Sequence, residues 1–329
     1  MEKQKAIIIG ISGCSSSGKT TLARILRDIF PNTFILHEDD FYKAEEELPI
    51  KNGLVDWDCP EAISMPDMEA ALSHIRTTGE FPVSFLRSNP SNPSAPASPL
   101  SQRSNHGCLP PSPSRSPSPT PPLSPTNKND NKLTKKQPTL LSKEDQNSLG
   151  PSPLSPSLLQ TLRTRVAKWL QPPNKGSFLP TSPLRICLLD GFLLYSPRHT
   201  ATIMSQLDIK LFLLASRAKA TARREARDGY VTLEGFWTDP PGYVDKVVWP
   251  NYVESHKWLF EGGVVEGGRL DEAVLREWGI QAQVGKGEDV EFGETVGWAV
   301  ERVMAGLEAF WEEHGGVRVE GESVLDYCV

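Results

Sequence analysis

The sequence is poor in cysteine, and no two of its cysteines stand at the spacing of a metal-binding or redox pair. The five cysteines among 329 residues are scattered along the chain, at positions 14, 59, 108, 187 and 328. An odd and scattered set fits neither a disulfide scaffold nor a structural zinc site. We therefore expect a protein of a reducing compartment, the cytoplasm or else the nucleus.

The chain also lacks a long apolar run and an excess of positive charge. No run approaches the roughly 20 apolar residues that span a bilayer, and the one near Met1 is too short for a signal peptide. With 35 basic and 41 acidic residues, the formal net charge is −6. The broad cationic surface that gives non-specific affinity for nucleic acid is therefore missing. We expect no membrane and no nucleic acid among the partners.

Proline and serine are concentrated in one internal stretch, residues 88–157. It holds 16 of the 29 prolines and 16 serines, with hardly an aromatic or β-branched residue. Such a stretch buries too little apolar surface to offset its ordering entropy. We predict a disordered insertion that splits one domain into residues 1–87 and 158–329. Its Ser-Pro and Thr-Pro pairs are compatible with phosphorylation or with docking of a partner protein, and neutral filler is the simpler interpretation.

Outside this stretch, apolar runs alternate with helical periodicities. Continuous apolar runs predict strands over residues 5–11, 33–36, 185–189, 209–214 and, more weakly, 280–284. Helical spacing of apolar residues predicts helices over 19–30, 60–75, 158–170, 217–227, 245–260 and 294–313. This alternation is typical of a doubly wound α/β domain, a parallel sheet with helices on both faces.

The first strand and helix are joined by a phosphate-binding motif. The segment from Gly13 to Thr20 reads GCSSSGKT and matches G-x-x-x-x-G-K-S/T. Backbone N–H groups and a helix N-terminus converge on phosphate there, Lys19 reaches the β and γ phosphates, and the Thr20 hydroxyl ligates Mg²⁺. A turn that only joined strand to helix would not need Lys and Thr after the second glycine. We predict a P-loop NTPase fold.

Carboxylates follow two of the predicted strands, where an open α/β sheet binds its ligands. Asp39 and Asp40 end the second strand, and a kinase of small alcohols needs one carboxylate to take the acceptor proton. We choose Asp39 as that base and Asp40 as its support; the alternative is that Asp40 caps a helical turn. Asp190 follows four apolar residues, as does the Walker B carboxylate that contacts Mg²⁺.

Two further groups suggest a lid and a nucleoside pocket. Arg223, Arg224 and Arg227 precede a loop rich in glycine, proline and aromatics, which favours a mobile lid whose arginines neutralise the transferred phosphoryl group. Arg223 and Arg227 are expected to share a helix face. Trp57 and Asp58 offer a flat face for a base and acceptors for ribose hydroxyls. A core tryptophan beside a helix-capping aspartate explains that pair equally well.

Five segments, in this order, resemble the fungal type of the nicotinamide riboside kinase family. They are GISGCSSSGKTTLA, HEDDFYK, the WD pair of KNGLVDWDCPEA, LLDGFLLY and RREARDGYVTLEGFWTDPPGYVDKVVWPNY. The resemblance is close over residues 7–66 and 186–252 and fades toward the C-terminus. The related uridine kinases and pantothenate kinases share only the loop and parts of the lid.

The resemblance implies a kinase that uses ATP and Mg²⁺ to phosphorylate the ribose 5′-hydroxyl of nicotinamide riboside. Thr20 and Asp39 would hold Mg²⁺ together with Asp190, and Asp39 would be the base. Lys19 and Arg224 complete the catalytic set. The residues that would bind ATP are Gly13, Cys14, Ser15, Ser16, Ser17, Gly18, Lys19, Thr20, Thr21, Arg223 and Arg227.

The resemblance also implies a substrate side. Trp57 would stack on the nicotinamide ring, Asp58 would grip the 2′ and 3′ hydroxyls, and Arg224 would face the riboside. Tyr230 or another lid aromatic would close on the ring. The residues of the HEDDFYK segment that would contact the riboside are Asp39, Asp40, Phe41 and Tyr42. The adenine-contacting loop is expected at residues 285–287.

Ring charge supports this substrate independently. The nicotinamide ring of the riboside is a pyridinium cation, which an indole face attracts by about 0.5 to 2 kcal/mol. Uracil offers no such attraction. Nicotinic acid riboside carries the same ring with an added carboxylate, so we expect it to be a substrate too.

Two other interpretations remain open at this stage. A uridine, cytidine or vitamin kinase would share the phosphate loop and parts of the lid. A regulator or scaffold that only binds ATP would use the fold as a switch and the Ser/Pro-rich insertion to recruit partners. An acceptor pocket at Asp39, Trp57 and Asp58 would serve no purpose in such a switch.

Overall fold

A parallel sheet of five strands forms the centre of the molecule. A computed structural model describes residues 4–82, 153–227, 230–231 and 236–314. The central strands are β1 (Ala6–Gly13), β2 (Thr33–His37), β5 (Arg185–Gly191), β6 (Ile209–Leu213) and β9 (Ile280–Gln281). They lie in the order β2-β5-β1-β6-β9, and every adjacent pair is parallel. The predicted doubly wound α/β class is thereby confirmed, and so are the five strand positions.

Helices cover both faces of this sheet because β1 is apolar on both sides. Ala6 and Ile8 face one core, and Ile7, Ile9 and Ile11 face the other. The first core is packed by α2 (Met65–Thr78) and α5 (Trp249–His256). The second is packed by α1 (Lys19–Ile29), α3 (Pro156–Trp169) and α7 (Phe292–Glu313). None of the described helices is both long and apolar enough to cross a membrane.

Shorter elements complete the described fold. Two hairpins are formed by β3 (Ile50–Lys51) with β4 (Leu54–Val55) and by β7 (Tyr230–Val231) with β8 (Phe236–Trp237). The remaining α-helices are α4 (Arg217–Glu225) and α6 (Glu272–Trp278). A π-helical turn, Val244–Val248, leads into α5. The 3-10 turns are Glu38–Phe41, Glu45–Glu47, Pro60–Ala62, Lys175–Phe178, Pro197–His199, Met204–Gln206, Lys257–Leu259 and Glu261–Gly263.

Two predicted helices are wrong in detail, and one helix begins earlier than predicted. The helix expected over 60–75 starts at Met65, because Pro60–Ala62 is a 3-10 turn and Ile63 pairs with Tyr42 as a β-bridge. The helix expected over 245–260 divides into π, α and 3-10 turns. The helix expected from residue 158 begins at Pro156, and Leu154 before it is buried in the second core. Most of the proposed insertion, 88–152, lies outside the described residues.

Candidate functional site

The segment between β1 and α1 has the backbone of a phosphate-binding loop. Gly13 has φ 148°, and a Cβ there would lie 2.3 Å from the Leu213 carbonyl oxygen. Gly18, at φ 101°, begins the helix without a side-chain cap. The Lys19 ammonium is buried under the loop and donates to the Cys14 carbonyl at 2.9 Å. The chain therefore needs glycine at both positions and curls around the lysine.

Three serine hydroxyls of this region lack a protein partner. In the described part of the chain, Oγ of Ser12, Ser16 and Ser17 is buried without a hydrogen bond. Buried polar groups are normally satisfied. Three such hydroxyls, in the segment that also carries the buried Lys19, fit a site that binds a polar anion.

The ends of β2 and β5 bring a histidine and a carboxylate together. His37 lies opposite Asp190 in the parallel register, and its Nδ1 donates to Asp190 Oδ1 at 2.6 Å. Burial alone would raise the pKa of Asp190, but the His37 ring and the Thr20 hydroxyl outweigh it, and the pKa is lowered. In the described part of the chain, Asp190 Oδ2 is buried without a hydrogen bond. The effect of the Thr20 hydroxyl on the pKa of Asp190 shows that these two side chains are neighbours.

The 3-10 turn Glu38–Phe41 carries the predicted base. Asp39 is half-buried there. Asp40 Oδ2 accepts from the His37 backbone N–H at 3.4 Å, so Asp40 closes the turn, as in the capping alternative. The described residues contain no cluster of three His, Cys, Asp or Glu suited to a metal. A site of the P-loop type takes one or two carboxylates and draws its other ligands from a hydroxyl and from phosphates.

Glu38 is a buried acid that sequence analysis passed over. It is fully buried, and its Oε2 accepts from the backbone N–H groups of Phe192 (2.7 Å) and Leu193 (3.1 Å). Burial raises the pKa of Glu38 to about 7, although those two hydrogen bonds oppose the shift. Its neighbour Asp39 attracted attention because a charged residue at a strand end is a recognised signal. A partner 154 residues away in the sequence gives no such signal.

Arg224 joins the phosphate loop to the predicted riboside residues. Its guanidinium is buried and pairs with Asp58 through two hydrogen bonds of 2.6 and 3.0 Å. It also donates to Ser15 Oγ at 3.0 Å and to both oxygens of Asp239, at 2.6 and 3.2 Å. Sequence analysis did not single out Asp239. The three side chains Asp58, Arg224 and Asp239 are called the arginine clamp below.

Of the other two arginines, Arg223 agrees with the prediction and Arg227 does not. Arg223 donates to the Ser16 carbonyl at 3.1 Å and so faces the phosphate loop as expected. Arg227 lies beyond the end of α4, which stops at Glu225, and it is exposed. The expected shared helix face of Arg223 and Arg227 is wrong, because the helix ends two residues before Arg227.

Trp57 belongs to a cluster of four aromatic side chains, Tyr42, Trp57, Trp237 and Tyr243, which we term the aromatic enclosure. Tyr42 meets the Trp57 ring edge-on, with centroids 5.4 Å apart, and Trp237 lies 5.8 Å away at 53°. The Tyr243 hydroxyl accepts from the Trp57 backbone N–H at 3.0 Å and donates to the Val55 carbonyl at 2.9 Å. Tyr243, a residue of the lid, thereby joins the lid to the backbone of the segment that carries Trp57.

Trp237 is another lid aromatic whose side chain the structure describes. It is half-buried, and its Nε1 donates to Asp239 Oδ1 at 3.0 Å. Tyr230 pairs with Trp237 in the β7–β8 hairpin. The Tyr230 side chain lies outside the described part of the structure, so its predicted contact stays a prediction.

A pocket lies beside Ser17 of the phosphate loop. It is lined by Ser17, Leu213, Leu214, Ala215, Lys219, Arg223, Gln283, Glu288, Asp289, Val290, Phe292 and Thr295. Asp289 accepts from the backbone N–H (3.0 Å) and hydroxyl (2.7 Å) of Ser216, the residue that caps α4. The predicted adenine-contacting residues, 285–287, lie between the lining residues Gln283 and Glu288.

Three features define this protein as a P-loop kinase of a small molecule. They are the phosphate-binding loop, the strand-end carboxylate beside the loop threonine, and the arginine that links the loop to the aromatic site. The curated relatives agree. Nicotinamide riboside kinase of Schizosaccharomyces pombe is 30% identical over 305 residues, 93% of this chain and 99% of that protein. The chain belongs to the nicotinamide riboside kinase family, as its motifs predicted.

Two more relatives show how the similarity is spread. Nicotinamide riboside kinase of Saccharomyces cerevisiae is 26% identical over 269 residues, which cover 81% of this chain and 84% of the relative. Human nicotinamide riboside kinase 1 is 47% identical over 70 residues, 21% of this chain and 35% of the human protein. No family model matches the chain.

Proposed function

We propose that this kinase transfers the γ-phosphoryl group of ATP to the ribose 5′-hydroxyl of nicotinamide riboside, giving nicotinamide mononucleotide. The observation that carries the proposal is the path from Ser15 through Arg224 to Asp58, two consecutive hydrogen-bonded contacts. Phosphate loop and aromatic enclosure are then neighbours, as in-line transfer to a bound nucleoside requires.

Asp39 is the proposed base. It lies in the 3-10 turn that follows β2, two residues after His37, the partner of Asp190, and a carboxylate next to the acceptor hydroxyl can take its proton as the new P–O bond forms. Lys19 and Arg223, both bonded to loop carbonyls, neutralise charge on the phosphoryl oxygens. The released products are ADP and the 5′-phosphate.

The residues fit a magnesium ion. Thr20, Asp39 and Asp190 are oxygen donors on three adjacent elements, and the unpartnered, buried Oδ2 of Asp190 is available as a ligand. Mg²⁺ prefers one or two carboxylates together with phosphate oxygens. When bound, the ion would offset the charge of the β and γ phosphates.

The aromatic enclosure supports a pyridinium ring as the substrate base. Tyr42 and Trp237 both pack on Trp57, and a cation gains more from an aromatic face than a neutral uracil does. Asp58 would accept from the 2′ and 3′ hydroxyls while Arg224 holds it in place. Burial raises the pKa of Asp58 and the Arg224 guanidinium opposes that shift. Nicotinic acid riboside, with the same ring, is included in the proposal.

The pocket beside Ser17 is the proposed site of the adenine base. Phe292 offers a flat face there, and Gln283 offers an amide whose oxygen is already used by the Thr295 hydroxyl at 3.0 Å. The amide N–H₂ therefore remains as a donor toward a purine nitrogen.

Two further proposals concern the setting of the enzyme. We infer that it acts in the cytoplasm, and the free cysteines Cys14, Cys59 and Cys187 are compatible with a reducing compartment. Fluorescence microscopy of the tagged full chain tests this. Phosphorylation of, or protein docking at, the Ser/Pro-rich segment rests on its sequence alone.

The substrate proposal is tested by coupled ADP release with nicotinamide riboside, nicotinic acid riboside and uridine side by side. We expect turnover of both pyridine ribosides, and a fall of about a hundredfold or more in Asp39→Ala. Better turnover of uridine would support a uridine-type kinase. Nucleotide binding without any turnover would support a regulator.

A further inference from the structure

Two adjacent side chains connect the ends of β2 and β5. Asp190 lies in β5, and Asp39 follows β2 in the 3-10 turn. His37 bonds to Asp190, and Glu38 bonds to the backbone just beyond it. His37 and Glu38 are fully buried, and Asp190 is nearly so. Neither His37 nor Glu38 is among the residues proposed to bind the riboside or the nucleotide.

We propose that His37 and Glu38 are positioning residues that set the orientation of Asp190 and its separation from Asp39, so that both carboxylates can serve one divalent cation. The inference rests on the proposed phosphoryl transfer with Mg²⁺. It adds two residues to the site, neither of which touches a reacting atom.

His37 fixes the rotation of the Asp190 carboxylate. The terminal torsion of aspartate is broad and allows the two oxygens to exchange places. The 2.6 Å bond engages Oδ1, while Oδ2 is buried and, within the described part of the chain, has no hydrogen-bond partner. A hydrogen-bond partner of a metal-binding carboxylate typically changes metal affinity by 10- to 100-fold.

Glu38 fixes the backbone that carries the same carboxylate. Its Oε2 holds the N–H groups of Phe192 and Leu193, directly after Asp190 and Gly191. The contact is close, because a Cβ at Gly191 would lie 2.6 Å from Glu38 Oε2. Since Glu38 directly precedes Asp39, one side chain ties the two strand ends together.

The test measures ADP affinity by titration calorimetry, with Mg²⁺ and with EDTA, so that no riboside and no turnover are involved. In wild type we expect Mg²⁺ to tighten ADP binding. His37→Leu should reduce that gain about tenfold or more, with ADP affinity in EDTA unchanged. His37→Asn keeps an amide N–H near the Nδ1 position and should retain most of the gain.

The matched control is His199→Leu. His199 is also a buried histidine, but its ring bonds to the Leu193 carbonyl rather than to a carboxylate. It should lose stability without losing the Mg²⁺ effect. A Mg²⁺ effect in His37→Leu within twofold of wild type would overturn the proposal, and so would equal losses with Mg²⁺ and EDTA.

A second pair keeps the test decisive if His37→Leu does not fold. Glu38→Gln retains an oxygen that accepts both N–H groups, whereas Glu38→Met retains only the shape. We expect the Mg²⁺ gain to survive in Glu38→Gln and to fall in Glu38→Met; equal gains in the two would contradict the role of Glu38. A riboside panel that failed would leave these binding results unaffected, so the two proposals fail separately.

Discussion

At the scale of single residues, His256 is a buried histidine outside the proposed chemistry. Its ring lies 5.5 Å from Phe212 and 4.5 Å from Tyr252, and Nδ1 donates to the Tyr252 carbonyl at 3.0 Å. Burial lowers the pKa of His256 from 6.5 to about 4, the Lys19 charge acts in the same direction, and the hydrogen bond opposes both. Between about pH 4 and pH 6.5, the folded state therefore binds fewer protons than the unfolded state.

The free energy of unfolding should fall as the pH drops from 6.5 toward 4, because protons then favour the unfolded chain. His256→Phe keeps an aromatic ring and should remove roughly 3 kcal/mol of that acid-dependent loss. Urea unfolding at pH 7 and 4.5 measures the difference. His314→Gln, which changes an exposed imidazole, is the control, and a pH slope in His256→Phe equal to wild type would disprove the assignment.

Trp57 carries the prediction about substrate charge. Trp57→Leu removes the indole face and should raise KM for nicotinamide riboside by about 2- to 30-fold, the equivalent of 0.5 to 2 kcal/mol. Trp57→Phe should lie between, since a phenyl ring retains part of the attraction. Steady-state kinetics give the values. Trp278→Leu, at a tryptophan that packs on Trp258, is the control and should leave KM unchanged.

At the scale of elements, local signals predicted the strands and the phosphate loop, and contacts distant in sequence decided the rest. Ile63 is held extended because Tyr42 pairs with it, while Lys43 donates to Ala62 and Ser64 donates to Phe41. These bonds break the helix that Pro60 was expected to begin. No periodicity within residues 60–75 could reveal a partner strand twenty residues earlier in the sequence.

The site follows the same division. Lys19, Thr20 and Asp190 follow from motifs, because their chemistry depends on position within one strand or loop. Glu38 and Asp239 could not be found in this way, since each acquires its role from the side chain or backbone that it meets in space. Arg224 was predicted as a charge clamp, but not as the buried centre of an ion-pair cluster.

The arginine clamp carries a prediction about the lid. Asp239→Asn keeps the shape, but it removes the negative charge that pairs with Arg224 and leaves one oxygen, instead of two, for the N–H donors of Arg224 and Trp237. A charge-assisted hydrogen bond contributes about 1.5 to 3 kcal/mol, so we expect KM for the riboside to rise about tenfold or more. Kinetics on the variant give the value, and tryptophan fluorescence should report a more exposed Trp237.

The control for the Asp239→Asn prediction is a change at Glu225, on the helix that carries Arg224. Glu225→Gln also removes one negative charge from the end of α4, but at an exposed side chain. It should leave KM unchanged. Equal effects of the two variants would mean that general charge, and not the clamp, determines riboside binding.

At the scale of the whole molecule, the boundary of the Ser/Pro-rich segment differs from the sequence prediction. Composition placed its end at residue 157. In the structure Leu154 is buried in the second core, and the Ser155 hydroxyl accepts from the Leu158 N–H as the cap of α3. Serine and proline are common in low-complexity segments and equally common at helix starts. Composition therefore cannot distinguish the last residues of a low-complexity segment from the first turn of the helix that follows it.

This boundary gives a prediction that compares two deletions closed with the same glycine-serine linker. Removal of residues 88–152 should leave turnover and the free energy of unfolding near wild type. Removal of 88–157 also takes away Leu154, worth about 1.5 to 3 kcal/mol when buried, and the Ser155 cap, worth about 1 kcal/mol. Urea unfolding should then show a loss of about 2 to 4 kcal/mol, which Leu154→Ala and Ser155→Ala in the full chain should reproduce in part.

Equal stability of the two deletions would place the boundary at 157 after all. Lost turnover in the shorter deletion would give the segment a part in catalysis.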